Sequence, residues 1–164
     1  MSLTAIQNYV QEQIQGLVGA YNNVPLQAWV DPPVVGASAE TPQAYILSAE
    51  GDGARQTMGG TTGYYQDTHQ IYVYIEWMMA PNLPNGNLAF TNLIDTVITK
   101  IRTSYTGAIL LTDPATGGQS QLLVIGDKLK WQYLPQRNVG EGGQEWLDYV
   151  ARLTFEVKEK VQYS

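Results

Sequence analysis

The chain has 164 residues and a formal net charge of −6, from nine Lys and Arg against fifteen Asp and Glu. This length is typical of a single domain, which we expect to span 1–164 and to bury its core without a disulfide or metal staple. The chain has no Cys, which excludes disulfides, thiolate metal sites and cysteine nucleophiles, and its negative charge argues against general binding to phosphate backbones.

The first predicted element is an amphipathic helix over 4–21. Apolar residues recur at helical spacing on one face, and the opposite face is rich in Gln. Thr4 followed by Gln7 has the pattern of a capping box at the start of the helix. The residue before Pro25 avoids helical geometry, so we expect the sequence NNVP to end the helix.

Three strands are expected next, at 26–30, 43–50 and 69–80. The third carries apolar side chains on both faces, which is typical of a strand that is central or covered on both sides. Before it, residues 51–68 contain five glycines and no sustained periodicity. We interpret this segment as a long Gly-rich loop or the tip of an extended hairpin.

The Gly-rich segment does not fit a nucleotide-binding motif. Five residues separate Gly53 from Gly59, instead of the four in a phosphate-binding loop, and another Gly follows where the essential Lys belongs. Three large side chains, Met58, Tyr64 and Tyr65, make the segment a candidate partner-contact loop instead. We expect no cofactor to bind there.

The second half of the chain begins with an amphipathic helix over 88–105. Asn87 is its expected N-cap, and Gly107 is its expected stop signal. Two strands follow at 108–113 and 120–135, and we interpret the sequence PATGG between them as a hairpin-like turn.

The last predicted strand covers 145–158 and has the cleanest alternation in the chain. The side chains that this alternation predicts to be buried are Leu147, Tyr149, Ala151, Leu153, Phe155 and Val157. Burial of so much apolar surface makes the strand integral to the fold. Because no β-helix-β pattern repeats, the sequence predicts an α+β domain in which a mostly antiparallel sheet packs against two amphipathic helices.

His69 is the only His in the chain. A Ser-His-Asp triad or a His-containing metal site would therefore have to use it. It begins a predicted strand, where a half-exposed, hydrogen-bonded imidazole is ordinary. We expect neither a catalytic centre nor a metal site around it.

Glu76 lies among aromatic residues and has two candidate partners for a catalytic carboxylate pair, Glu50 and Asp148. The aromatics that offer a candidate sugar-binding platform are Tyr72, Tyr74 and Trp77. Such residues are found more often in cores and interfaces. We expect no enzymatic activity, and a carbohydrate- or ligand-binding module stays as an alternative.

Four stretches together carry a resemblance to a known family: TAIQNYVQEQIQGLVGAY, HQIYVYIEWMM, NLAFTNLIDTVITKIRTSY and YVARLTFEVKEK. A first helix, a sheet with a long Gly-rich hairpin, a mid-chain helix and a regular last strand resemble the tail terminator proteins of long-tailed bacteriophages. The related neck and tail-completion proteins share this plan. The likeness covers nearly the whole chain as a pattern of elements, with 51–68 and 136–144 as the expected points of departure, and no individual functional residue carries over.

The resemblance implies a homo-oligomeric ring, a hexamer, that ends growth of the tail tube and joins the tail to the head. Its partners would be further copies of itself, the tail tube protein and neck or connector proteins, with DNA passing through the lumen without specific binding. A neck or connector role in the same virion is the alternative.

Two features of the composition fit a ring of this kind. Charged residues make up 15% of the chain, and Gln and Thr together outnumber them, so the surface costs less to desolvate on association. A net negative charge also suits a lumen for DNA, because it repels phosphate.

The N-terminus lacks a basic, apolar leader. No apolar run approaches the roughly 20 residues that span a bilayer. We therefore expect a protein that is made in the cytoplasm of a bacterial host, is incorporated into the virion, and has no membrane partner.

Overall fold

A computed structural model describes residues 3–21, 23–31, 41–55, 63–80, 85–104, 109–135, 137–139 and 146–163. In chain order the elements are α1 (Leu3–Ile14), β1 (Gln27–Trp29), β2 (Gln43–Arg55), β3 (Gly63–Met79), α2 (Gly86–Thr103), β4 (Ile109–Thr112), β5 (Gln119–Tyr133), β6 (Arg137–Val139) and β7 (Trp146–Tyr163). The predicted α+β class is confirmed, with two helices and a mostly antiparallel sheet in the described residues.

The strands form one sheet in the order β1-β2-β3-β7-β5-β4. Only the β1–β2 pair is parallel among the described strand pairs. The last strand, β7, is central: it pairs with β3 on one edge and with β5 and then β6 on the other. The expectation that this strand is integral to the fold therefore agrees with its position.

The two faces of the sheet differ in burial. Most odd-numbered side chains of β3 and β7 are buried on the side of the sheet that carries both helices, and most even-numbered ones are half-exposed. We call these the helix-side face and the outer face. Among the largest fully buried side chains are Ile6, Ile14, Ile71, Ile75, Leu93, Ile94, Ile101, Leu153 and Phe155. The prediction that β3 is central is confirmed, whereas its outer face is half-exposed in the single chain.

Helix α1 is shorter than predicted because Gly16 adopts a left-handed conformation with φ of 78°. This conformation ends a helix and is readily available to Gly. The Gly16 N–H then donates to the Leu26 carbonyl at 2.8 Å, so the chain turns toward β1. Thr4 lies in the first turn of this helix, and the Gln7 side-chain amide donates to the carbonyl of Ile46 at 3.3 Å.

Helix α2 begins two residues earlier than predicted. Its N-cap is Asn85, in a left-handed conformation with φ of 62°, and Asn87 lies within the first turn. The Asn85 carbonyl accepts the first helical hydrogen bond from the N–H of Ala89 at 2.8 Å. The helix ends at Thr103, and the predicted stop signal, Gly107, lies outside the described residues.

The segment 51–68 contributes strand at both ends. Residues 51–55 continue β2 and residues 63–68 begin β3, and the two pair as an antiparallel hairpin. Residues 56–62 lie outside the described part of the chain. Strand β6 was not predicted, and β7 runs to Tyr163, beyond the expected end at 158. None of the described helices has the length and apolar character to cross a membrane.

Candidate functional site

The candidate partner-contact residues fall at the hairpin end of the sheet. Met58 lies outside the described residues, as does the side chain of Tyr64, whose backbone belongs to β3. Tyr65 is half-buried and pairs with Arg55 of β2 and Val161 of β7. Its odd number places it on the helix-side face, so Tyr65 is part of the sheet and not of a free loop.

Next to Tyr65, the same face carries a cluster of titratable side chains. The register of β3 and β7 places Asp67 directly opposite Glu159, with His69 two residues further along β3. Like charges directly opposite each other on neighbouring strands repel. An arrangement of this kind needs a compensating positive charge close by.

Glu159 is the centre of this cluster and is fully buried, with 0% of its surface exposed. The Nε2–H group of His69 donates to its Oε1 at 2.8 Å, and the hydroxyl of Ser120 on β5 donates to its Oε2 at 2.6 Å. Both carboxylate oxygens are thus satisfied, which a buried carboxylate requires. The His69 side chain itself is 14% exposed.

A glycine makes room for the imidazole. Gly51 of β2 pairs with His69, and a Cβ atom placed on Gly51 would lie 3.2 Å from Nδ1 of the ring. That distance is tighter than an ordinary van der Waals contact. The absence of a side chain at Gly51 therefore lets His69 lie flat enough against β2 to reach Glu159.

Sequence reasoning anticipated a hydrogen-bonded His69 but missed Glu159. The signal was present, because Glu159 continues the odd-numbered, inward-facing series of β7. A charged side chain at an inward position costs free energy unless it has a partner, so it indicates a polar cluster inside the domain. The predicted strand ended at 158 and so left this residue out.

The outer face at the same end of the sheet holds a polar groove of about 500 Å³. Its lining residues are Gly51, Gln66, Thr68, Gln70, Lys128, Glu156 and Lys158. The Nζ of Lys128 lies 3.1 Å from Glu156, and that of Lys158 lies 3.3 Å from Asp127. The groove therefore balances its charges internally and does not offer an uncompensated basic surface.

Basic residues are nevertheless concentrated on this face. The five of the nine Lys and Arg that lie at outer-face positions of β5 and β7 are Lys128, Lys130, Arg152, Lys158 and Lys160. In the sequence Lys128 lies close to Lys130, and Lys158 lies close to Lys160, but only the pairing of β5 with β7 brings the two pairs to one face.

Glu50 lies too far from Glu76 to form a catalytic carboxylate pair with it. This residue pairs with Gln70, six residues along β3 from Glu76, which is about 20 Å at the usual rise of a strand. Asp148 lies diagonally across from Glu76 on the same face, because Met78 pairs with Asp148. Asp148 is only 1% exposed, so its carboxylate is not presented to a substrate.

The candidate sugar platform is divided between two faces. Trp77 is 3% exposed and belongs to the core, whereas Tyr72 and Tyr74 are half-exposed on the outer face. Arg152 stacks over the Tyr72 ring, with its guanidinium carbon 5.7 Å from the ring centroid. The three aromatics therefore do not form one flat surface.

A different aromatic surface lies at the opposite end of the sheet. Trp131, Tyr133 and Leu134, at the end of β5, are all exposed, and we call them the β5 aromatic patch. The guanidinium carbon of Arg102 lies 5.6 Å from the ring centroid of Trp131, and the Tyr133 ring meets Phe90 edge-on. Although 41% of Tyr133 is exposed, desolvation of its buried part raises its pKa, and the nearby charge of Asp95 raises it further.

Two strands have long edges that carry no neighbouring strand within the described residues. β1 pairs only with 43–45 of β2, and β4 pairs only with 119–122 of β5. No strand of the described residues therefore pairs with the outward edges of 47–55 in β2 and 123–133 in β5, and we call these the open edges. An open edge is a template for pairing with another chain.

The short outer strand β1 is protected in a different way. The side chain of Gln11 in α1 donates to the Ala28 carbonyl at 2.9 Å, and the Ala28 N–H donates to Gln15 at 2.7 Å. These side chains occupy the backbone groups that a further strand would use. Two of the Gln side chains on the helix surface therefore bind backbone groups of the same chain and are not available to a partner.

No known protein-family model matches this sequence, and no curated protein is significantly similar to it.

Proposed function

We propose that the protein is a structural component of a virion that forms a ring at the head-proximal end of a phage tail. In this role it ends growth of the tail tube and joins the tail to the head, without catalysing a reaction. The proposal joins the resemblance in element order to one structural observation: a strand edge that no described strand pairs with and an exposed aromatic patch lie on opposite sides of one sheet.

The first surface is the open edge of β2 over 47–55. Leu47 on this edge is 43% exposed. The backbone groups of such an edge can pair with a strand or loop of another subunit, which is a common mode of protein association.

The second surface is the β5 aromatic patch. The β5 edge itself is poorly suited to strand pairing, because Gly126 and Lys128 both have positive φ and the register shifts there. Bulges and lysines on an edge block unwanted pairing. The exposed aromatic side chains at the end of β5, which are typical anchors of interfaces, are therefore the better contact.

The two surfaces lie on opposite sides of the sheet. β3 and β7 separate β2 from β5, a span of three strand spacings or about 14 Å. A contact between unlike surfaces of successive copies is heterologous, and such contacts generate closed rings when the rotation closes. An isologous dimer would instead use one surface twice.

In the proposed ring, the tail tube protein and the neck or connector proteins bind above and below. DNA passes through the lumen without being held. The internal ion pairs of the outer groove and the net charge of −6 support this part of the proposal, since neither provides a strong attraction for phosphate.

Light scattering at several protein concentrations tests the proposal. We expect a species with six times the 18.1 kDa mass of the chain, and its share should rise with concentration. A protein that remains monomeric at all concentrations, or that stops at a dimer, would contradict it.

A further inference from the structure

We propose that Asp67, His69 and Glu159 form a binding site for a divalent transition-metal ion of the zinc type. Each residue offers one ligand atom, and these three atoms all lie within 4.8 Å of one another. They come from β3 and β7, two strands that pair along their whole shared length. The inference concerns one chain only and does not depend on the proposed ring.

The donor set suits such an ion. Zinc accepts imidazole nitrogen and carboxylate oxygen at about 2.0–2.2 Å, which places neighbouring ligand atoms on the order of 3–3.5 Å apart. Nε2 of His69 and Oε1 of Glu159 are 2.8 Å apart. The bound ion would take the place of the proton that Nε2 now shares with Glu159, and a small rotation of the side chains would admit it.

Electrostatics favour a cation at this point. Glu159 is fully buried and directly opposite Asp67. An ion pair between a protonated His69 and Glu159 alone would neutralise only one of these two carboxylates. A divalent ion compensates both, and it does so with His69 neutral.

The residues around the cluster hold the Glu159 carboxylate in place and leave the site accessible to an ion from solvent. The Ser120 hydroxyl fixes Oε2 of Glu159 at 2.6 Å, which leaves Oε1 directed toward His69. Hydrogen bonds of this kind orient metal ligands. Asp67 is half-buried and the His69 side chain is 14% exposed, so an ion can enter and retain water as a further ligand.

The composition of the chain makes the test unusually specific. His69 is the only His and there is no Cys, so a metal ion held by an imidazole must use this residue. Because there is one His, the full chain should give a single imidazole Hε1 signal in proton NMR. Titration with zinc chloride should shift that signal, and calorimetry should show one saturable site.

Three variants and one control define the site. Asp67→Asn and His69→Gln should remove saturable zinc binding, and Ser120→Ala should raise Kd about tenfold or more. Asp127→Asn, which changes a carboxylate of an outer-face ion pair, should leave Kd unchanged. An Hε1 signal that does not move with zinc, or equal zinc binding by Asp67→Asn and the unaltered chain, would overturn the inference and leave only the His69–Glu159 hydrogen bond.

Discussion

His69 and Glu159 are separated by 90 residues in the chain, and their side chains meet at 2.8 Å on the helix-side face of the sheet. The contact joins the β2–β3 hairpin to the last strand. Because Glu159 is fully buried, this hydrogen bond and the one from Ser120 determine whether the carboxylate is tolerated there. The stability of the hairpin end of the sheet therefore depends on a polar cluster as well as on apolar packing.

The first prediction concerns the loss of the imidazole. His69→Ala leaves Oε1 of a buried carboxylate without its donor, which should lower the free energy of unfolding by about 1–3 kcal/mol. Urea denaturation followed by circular dichroism measures this. Gln66→Ala, on the outer face of the same strand, is the matched control and should change the free energy by less than about 0.5 kcal/mol. Equal effects of the two substitutions would show that the His69–Glu159 contact does not contribute measurably to the free energy of unfolding.

The second prediction concerns the space at Gly51. Replacement of Gly in a strand by Ala normally stabilises, since Gly loses more conformational freedom on folding. Here the new Cβ would lie 3.2 Å from His69 Nδ1. Gly51→Ala should therefore lower the free energy of unfolding as long as His69 is present. In a His69→Ala background the same change should be neutral or stabilising.

A double-mutant cycle built from these two changes should give a coupling energy of about 1 kcal/mol. Denaturation of the four proteins under identical conditions measures it. Additive effects would mean that Gly51 is not needed to place the imidazole.

The third prediction concerns β7. Phe155 is 1% exposed in the central strand, and Phe155→Ala should lower the free energy of unfolding by about 3–5 kcal/mol. Deletion of 145–164 removes the strand that joins β3 to β5 and should leave no soluble folded protein. A cooperative melt of the truncated chain would show that the remaining strands fold without it.

Local periodicity was sufficient to predict most of the secondary structure. An apolar run located β3, alternation located β7, and helical spacing located α1 and α2, because each of these elements buries a face against a single core. Its errors lie where one residue overrides the pattern. Gly16 ends α1 early through its left-handed conformation, and Asn85 starts α2 through backbone geometry without a side-chain cap.

The polar cluster was harder to predict because it depends on register. Asp67 and His69 are visible in the sequence, but nothing local shows that β7 brings Glu159 to them or that β5 supplies Ser120. Pairings over such separations are set by the whole sheet. The burial of Glu159 could have been predicted from the sequence by extending the alternation of β7 beyond residue 158.

The fourth prediction concerns the β2 edge. Leu47→Lys places a charge on the open strand edge, a feature that opposes strand pairing, and should prevent self-association. Leu110→Lys is the matched control, because Leu110 is 66% exposed on the other outer strand, β4. Light scattering of both variants at equal concentration measures the difference. Equal masses for the two variants would remove β2 from the proposed interface.

The most direct test of the proposed head-to-tail ring combines Leu47→Lys with a second variant, Trp131→Glu, that alters the β5 aromatic patch. Arg102 lies beside Trp131, so the new carboxylate has a partner and the fold should be kept. Each variant retains one of the two unlike surfaces, and each should be monomeric alone. The decisive measurement is the mass of the largest species in their equimolar mixture. The account predicts a dimer with one copy of each variant and nothing larger, whereas a mixture that remains monomeric or assembles to full size would contradict it.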